Sequence, residues 1–325
     1  MHRPFTFIAI VALFFALPWA QGEGPADETR VTLRDEFLRI INRDRVAGGL
    51  APVNLDPATS VVADGYCHEQ IKNGTTGHIG TDGLTPYMRY SFAGGDDGVS
   101  ENAAAWSAPY HFSDRALFDM IQRSEAAMMR ELPPHEGHRR TILDPYATHV
   151  GIGLAWQRGE FRLTQEFIRR YVDWKRPLPR NAVESERITG IGKPFDGYKV
   201  EAITVHFEAI PRPLSASQVN GMDSYSLPDR RRDYLPRLRT YRELRGDGAV
   251  YEVREQYADG RRGDFTVARD GSFTFSVPFT DGPGVYTVVV WLRGHDAPAP
   301  IAASNVSIRV DAAPEGFGAA GGGTK

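Results

Sequence analysis

The sequence predicts an α+β protein in two parts. An α-β-α layered domain covers residues 30–174, and an antiparallel β-sandwich covers residues 191–312. Three observations carry this expectation. Apolar residues recur at helical spacing through the first half and alternate at strand spacing through the second, and a Pro- and Arg-rich stretch, residues 175–190, lies between them with linker composition. A length of 325 residues suits about two domains. With 41% hydrophobic and 24% charged residues the chain can bury a core and is not of the disordered class. A net charge of -3 argues against a protein that coats nucleic acid. The single cysteine, Cys67, excludes an intrachain disulfide, a zinc finger and a redox Cys-x-x-Cys pair.

His2 and Arg3 precede the apolar run Phe5 to Leu17, and Ala20 is small enough for signal-peptidase cleavage. The run falls short of the roughly 20 residues of a membrane span. Residues 1–20 are therefore expected to be a signal peptide, with the mature chain starting near Gln21 and no transmembrane span afterwards. Pro18 beside the cleavage site makes retention as an N-terminal anchor the alternative. A secreted or periplasmic location without disulfides fits a bacterial export route.

After the polar stretch Gln21 to Glu28, Leu33, Phe37, Ile40 and Ile41 share one helix face, with a start signal at Thr32 and Asp35 and a stop at Gly48-Gly49. Asp56-Pro57 opens a second helix that ends at Asn73-Gly74, and a third runs from the N-cap Ser113 to a stop before Pro133-Pro134. Val150 to Trp156 and Phe161 to Phe167 alternate as strands around a turn at Gln157–Glu160, which predicts a hairpin. Beyond the linker, Val200–Phe207, Val250–Tyr257, Ser272–Phe279, Val285–Leu292 and Val306–Val310 read as strands of a sandwich, without an amphipathic helix. The Gly/Ala-rich tail, residues 313–325, is expected to be disordered. Each half is expected to fold alone.

The polar residues of the first half cluster in three places. Gly77-His78-Ile79-Gly80-Thr81-Asp82-Gly83 is followed by Arg89. Ser100-Glu101-Asn102-Ala103-Ala104 comes next, and then Glu131 with His135-Glu136-Gly137-His138-Arg139-Arg140, Ile142-Leu143 and Val150-Gly151-Ile152-Gly153. At these residues the chain resembles the CAP superfamily of cysteine-rich secretory, antigen 5 and pathogenesis-related proteins (the SCP domain), in its bacterial, disulfide-free secreted branch. The ordered motifs are His78-x-x-x-Asp82-Gly83, Glu101-Asn102-x-Ala104, Gly137-His138-Arg139-x-x-Ile142-Leu143, Val150-Gly-Ile-Gly153 and Thr164-Gln165-x-Phe167. They span residues 30–174 and leave the strand-rich half unaccounted for.

The resemblance implies a three-layer α-β-α sandwich with an open cleft lined by two His and two acidic residues. Carried over position by position, these are His78, Glu101 and His138, with Glu131 in the fourth place and Glu136 as its rival. Bacterial members often carry a Trp ahead of that fourth position, where this chain has Met128. Two imidazoles and one or two carboxylates in one cleft suit a divalent metal such as zinc, with His78, Glu101 and His138 as ligands and water or Glu131 in the fourth position. The same groups could hold a water for acid-base chemistry, or simply form a polar network that pins loops. No Ser or Cys nucleophile motif and no His-Glu-x-x-His helix is present, so the sequence leaves enzyme status open. The favoured function is extracellular binding of a small-molecule, lipid or envelope ligand in the cleft. The alternatives are a metal-assisted extracellular hydrolase and a structural adhesion module whose partner surface is the β-domain.

Smaller readings follow from single residues. Pro133-Pro134 and Gly137 place His135 and His138 in a loop, with His138 as the functional one. Arg139 suits a salt bridge or a phosphate-type contact, Arg89 a salt bridge to Asp82, Asn102 a bond to backbone, and Cys67 with His68 core packing. Arg230, Arg231, Arg232, Arg237, Arg239, Arg242 and Arg245 alternate with Tyr234 and Tyr241, yet Asp229, Asp233 and Glu243 dilute them. Such a run can bind an anionic polymer, but Pro228 and Pro236 make it a loop, and a solvated, self-paired surface without specific nucleic-acid binding is the favoured reading.

Overall fold

The structure is a computed structural model that describes residues 25–295 and 297–313. The expected signal peptide, and all of the expected tail except Ala313, lie outside the described residues. The fold is α+β. No helix among the described residues is long and apolar enough to cross a membrane.

In the first half, α1 (Pro25–Ala47) leads to β1 (Asn54–Leu55) and α2 (Pro57–Asn73), followed by α3 (Pro86–Phe92) and β2 (Gly98–Ser107). Then come α4 (Asp114–Met129), α5 (Gly137–Ile142), β3 (His149–Gln157) and β4 (Glu160–Arg169). The sheet order is β1-β3-β4-β2. Its centre is the expected hairpin, closed by Arg158 and Gly159 at φ 49° and 80°, the left-handed pair that a two-residue type I′ turn requires.

The caps of α2 follow from its sequence. Asp56 Oδ1 accepts from the Thr59 amide at 2.9 Å, Pro57 occupies the first turn, and Gly74 closes the helix at φ 65°. α2 lies against β3 and β4, and the Val-Gly-Ile-Gly pattern explains how. A Cβ at Gly151 would stand 2.5 Å from the Thr59 side chain, and one at Gly153 would stand 2.5 Å from the Ala63 carbonyl carbon. The alternate residues Val150, Ile152 and Leu154 are fully buried in a core with Phe37 and Ile41 of α1 and with Leu117 and Ile121 of α4. Each such side chain contributes about 1.5–3 kcal/mol by leaving water.

The second half is strand-built. β5 (Val172–Arg176), β6 (Asn181–Val183), β7 (Arg187–Pro194) and β8 (Tyr198–Glu208) precede a single turn of helix, α6 (Ala216–Val219). β9 (Arg231–Tyr234), β10 (Thr240–Leu244), β11 (Val250–Arg254), β12 (Thr266–Val267), β13 (Phe273–Pro278), β14 (Gly284–Gly294) and β15 (Ile301–Asp311) follow. One sheet runs β12-β13-β7-β5 and another β6-β15-β14-β8-β9, while β10 and β11 form a separate hairpin. Phe273, Phe275 and Val277 of the first share a core with Ile203, Val288, Val290 and Ile308 of the second.

Several expectations are corrected. α1 starts at Pro25, before Thr32. Residues 175–190 are not a free linker, since β5 ends and β7 begins within them and β6 lies between. β2, α3 and α5 were not foreseen. β2 carries small and polar residues (Ser100, Asn102, Ala103 to Ala105) that give no alternation signal, and α3 and α5 span too few residues for a helical period to register. His138 therefore sits on a short helix rather than in a loop. The arginine-rich stretch supplies strands β9 and β10, because neighbouring backbone pairs it despite the flanking prolines. Its charges are paired only in part: Arg231 bonds Asp233 and Arg245 bonds Glu243 within the stretch, and Arg230 and Arg232 both bond Asp281 outside it.

The two halves share a core. Tyr87, Met88, Tyr90, Val99 and Ile168 cluster with Val285, and Tyr225 and Leu227 pack against them. Backbone and side chains are stitched across the same contact. The Val99 amide donates to Asn305 Oδ1 at 3.1 Å, the Ser307 amide to Ser91 Oγ at 2.9 Å, and Arg180 Nε to the Ser91 carbonyl at 2.5 Å.

Candidate functional site

The end of β2 brings the predicted residues together. Glu101, on β2, has its side chain fully buried. His78, in the loop after α2, places Nδ1 2.8 Å from Glu101 Oε1. His138, on α5, places Nδ1 2.5 Å from Glu131 Oε1. The ring centroids of His78 and His138 are 6.4 Å apart. Two imidazole–carboxylate pairs thus face each other, although 23 and 37 residues separate His78, Glu101 and His138 along the chain.

Arg89 organises the first pair. From α3 it donates to Glu101 Oε2 at 2.6 Å and to the carbonyls of His78 and Leu84 at 2.8 and 3.0 Å. Its guanidinium carbon lies 3.5 Å from the centre of the Tyr66 ring. The expected Arg89–Asp82 bridge is not formed. Asp82 instead accepts from the Leu84 amide at 2.9 Å and shapes the turn. Burial opposes a charge on Glu101, but Arg89 and His78 outweigh it and hold the carboxyl below its usual range.

Glu166 stands directly opposite Glu101 in the β2–β4 register. Burial, and then the Glu101 charge beside it, push its carboxyl well above the usual range. Glu166 therefore keeps its proton next to an ionised Glu101. Two adjacent buried carboxylates sharing one guanidinium cannot both ionise at moderate cost.

Glu131 holds the second pair. Its Oε2 accepts from the His138 and Arg139 amides at 2.9 and 3.3 Å while Oε1 meets the ring. Glu136, its rival, makes no bond to His138 among the described residues. His135 lies in the turn ahead of α5 and does not join the pair. Asn102 donates to the His138 carbonyl at 3.1 Å, as expected of a backbone contact, and to Gln165 Oε1 at 2.9 Å. Gln165 in turn donates to Glu125 Oε2 at 2.6 Å. Cys67 is fully buried, 3.6 Å from Thr164 Oγ1, and burial pushes its thiol up, away from reactivity.

The strand-rich half reaches into this site. The Tyr225 ring meets His78 edge-on at 5.1 Å between centroids, and its hydroxyl accepts from the Glu101 amide at 2.7 Å. The connection carrying it also bonds the His78 loop. The Leu214 amide donates to the Thr81 carbonyl at 2.8 Å, and Asn220 Oδ1 accepts from the Thr76 amide at 2.9 Å.

Sequence reasoning missed Glu166, Glu125, Tyr225 and the role of Arg89. For Glu166 a signal existed: in a strand alternating as Phe161-Arg-Leu-Thr-Gln-Glu-Phe167, it lies on the face opposite the leucine. Tyr225 had none, because its role depends on how the halves dock.

Glu125 offers a direct test of the buried network. Burial raises its carboxyl to about 7, against about 4.3 for a free Glu. A raised acid stabilises the fold fully below the unfolded value, and that contribution is lost as pH rises through about 7. The loss amounts to about 4 kcal/mol. Urea unfolding of Glu125→Gln between pH 5 and pH 8 should lack this decline and leave the variant more stable than the parent at pH 8. Parallel pH profiles would rule the account out.

The donor set decides how a metal could sit here. Among the described residues, no group of three or more His, Cys, Asp and Glu is arranged to hold an ion. Both oxygens of Glu101 and both of Glu131 are engaged by rings, amides or Arg89. Glu101, expected beside His78 and His138 as a ligand, has one oxygen on the His78 ring and the other on Arg89.

No family model matches the chain, and no curated protein matches it. Among solved structures, it is similar to an extracellular protein containing an SCP domain from Bacillus anthracis str. Ames. That match has 21% identity and a TM-score of 0.31, and it covers 42% of this chain. The matched region spans 40% of that protein's chain.

Proposed function

We propose that this chain is an exported binding protein of CAP type. Its first half would be the α-β-α domain of that family, and its functional centre the facing His78 and His138. One observation carries the reading: each ring is anchored at Nδ1 by a carboxylate, which leaves Nε2 of both for a ligand. Anchoring a histidine through its second nitrogen is how proteins fix imidazoles for a cation or a bound polar group. The two rings would hold a divalent cation such as zinc, which would supply a Lewis-acidic point for an extracellular ligand. Glu101 and Glu131 fix the tautomer and the aim of the rings, while Arg89 and Tyr225 keep the His78 side rigid. The side chain of His138 is 35% exposed, against 11% for His78, so a ligand would approach from the α5 side.

Calorimetric titration with zinc is the test. Binding is expected at pH 7.5 with release of protons, and it should weaken at pH 5.5 because protons compete for the same nitrogens. His78→Ala and His138→Ala should abolish it, and Glu131→Gln should weaken it about 10–100-fold. Equal affinity at both pH values, or in His138→Ala, would leave the pairs as a loop-pinning network.

A further inference from the structure

We infer that the β10–β11 hairpin is a self-association arm: the outer edge of β11 pairs antiparallel with the same edge of a second copy, making one four-stranded sheet. The hairpin is a sheet of its own, to which the rest of the described chain adds no strand. Every residue of β10 is exposed, as is all of β11 except Val253. Tyr241 and Tyr251 are 45% and 40% exposed, and Leu244 and Val250 70% and 62%. A lone two-stranded hairpin is at best marginally stable in water, and an independent sheet needs three or more strands.

The edge of β11 is open. The Glu255 amide donates to the Arg239 carbonyl and the Arg245 amide to the Ala249 carbonyl, both at 3.1 Å. Bonded residues alternate along an antiparallel strand, so Tyr251 and Val253 turn their backbone groups towards β10. Val250, Glu252 and Arg254 turn theirs outward, and none of these amides and carbonyls meets a partner among the described residues. Such an edge is a template for another strand.

Charge selects the occupant. Arg242, Arg245 and Arg254 balance Glu243, Asp247 and Glu252. The hairpin therefore has no net charge with which to attract a polyanion or repel its own copy. A two-fold axis beside Val253 sets Glu252 of each copy opposite Arg254 of the other. On that face Arg242 already stands opposite Glu252, so charges alternate across the four strands. On the other face Tyr241 stands opposite Val253, and the axis sets Val253 against its own equivalent. That makes an apolar row with a tyrosine at each end. Centring the axis on Glu252 or Arg254 would oppose like charges, and centring it on Tyr251 would set Val250 against Glu252. The arm shares no residue with the His78–His138 centre, so the inference is independent of the cation reading.

β11 offers five residues per copy, against roughly 20–30 a side in a standard interface, so the dimer should dissociate on dilution. Sedimentation equilibrium of the mature chain from about 1 µM to about 1 mM should show reversible monomer–dimer exchange. Glu252→Arg and Arg254→Glu each set like charges opposite one another twice, and each should weaken the dimer about tenfold. Mixing the two variants restores both opposite-charge pairs, and the mixture should dimerise about tenfold more tightly than either variant alone. A variant whose hairpin had simply come apart would not be rescued in this way. The inference is overturned if the parent stays monomeric throughout, if either variant dimerises like the parent, or if the mixture gains nothing.

Discussion

Replacing Arg89 with methionine is expected to destabilise the protein by about 3–5 kcal/mol at pH 7, the scale of removing one partner from a buried ion pair. Arg89 is the cation on which the Glu101–Glu166 pair depends, and it also ties the His78 and Leu84 carbonyls to α3. Without it, Glu101 must either keep an uncompensated charge in the core or take up a proton. The pH dependence follows from the sign of the shift. The Glu101 carboxyl is held low in the folded chain, so its contribution is present above the unfolded value of about 4.3 and is lost as pH falls. The gap between parent and variant should therefore narrow towards pH 4. Arg89→Lys keeps the charge but loses the fork that reaches three acceptors, and should fall between the two. Urea unfolding of the three proteins at pH 7 and pH 4 measures this. A variant as stable as the parent at pH 7 would show that Glu101 is neutral and that Arg89 does not hold the site.

A chain truncated after residue 176 should lose cooperative unfolding altogether. From the sequence, each half was expected to fold alone, and the shared core argues otherwise. Ile168 and Met88 are fully buried and Val99 nearly so, in a cluster that the second half closes with Val285, Tyr225 and Leu227. Truncation also removes Tyr225 from the Glu101 amide and Arg180 from the carbonyls of Ser91, Gly94 and Gly95. It leaves β5 without β7, its partner in the second-half sheet. The first half would then expose an apolar face next to a buried charge network. Near-UV circular dichroism and the urea transition of the truncated chain check this. Native-like dichroism with a sharp transition would show that the halves are independent units.

What was legible in the sequence depended on how local the cause was. The caps of α2 at Asp56 and Gly74, the β3–β4 hairpin around Arg158-Gly159 and the long strands β8, β14 and β15 were readable, because turn chemistry and alternation act within a few residues. β2 was not readable. Its Ser-Glu-Asn-Ala-Ala run shows no apolar period, and it becomes a strand because β4 pairs with it along its whole length. The linker expectation failed for a related reason. Pro177 and Pro179 interrupt the pattern, yet β5 and β6 on either side are recruited by distant strands β7 and β15.

The candidate site divides in the same way. By itself the sequence pointed to His78, Glu101, Glu131 and His138 as candidates, since motif and residue type are local properties. Only the tertiary structure decided what each one does. The ionised state of Glu101 depends on Arg89, a residue 12 positions away, and the retained proton of Glu166 depends on burial and on the Glu101 charge beside it. The Tyr225 contact comes from 124 positions away. Charge and burial are set by everything that surrounds a group in space. The chain brings those neighbours together only when β2, α3, α5 and the 209–229 connection have all packed.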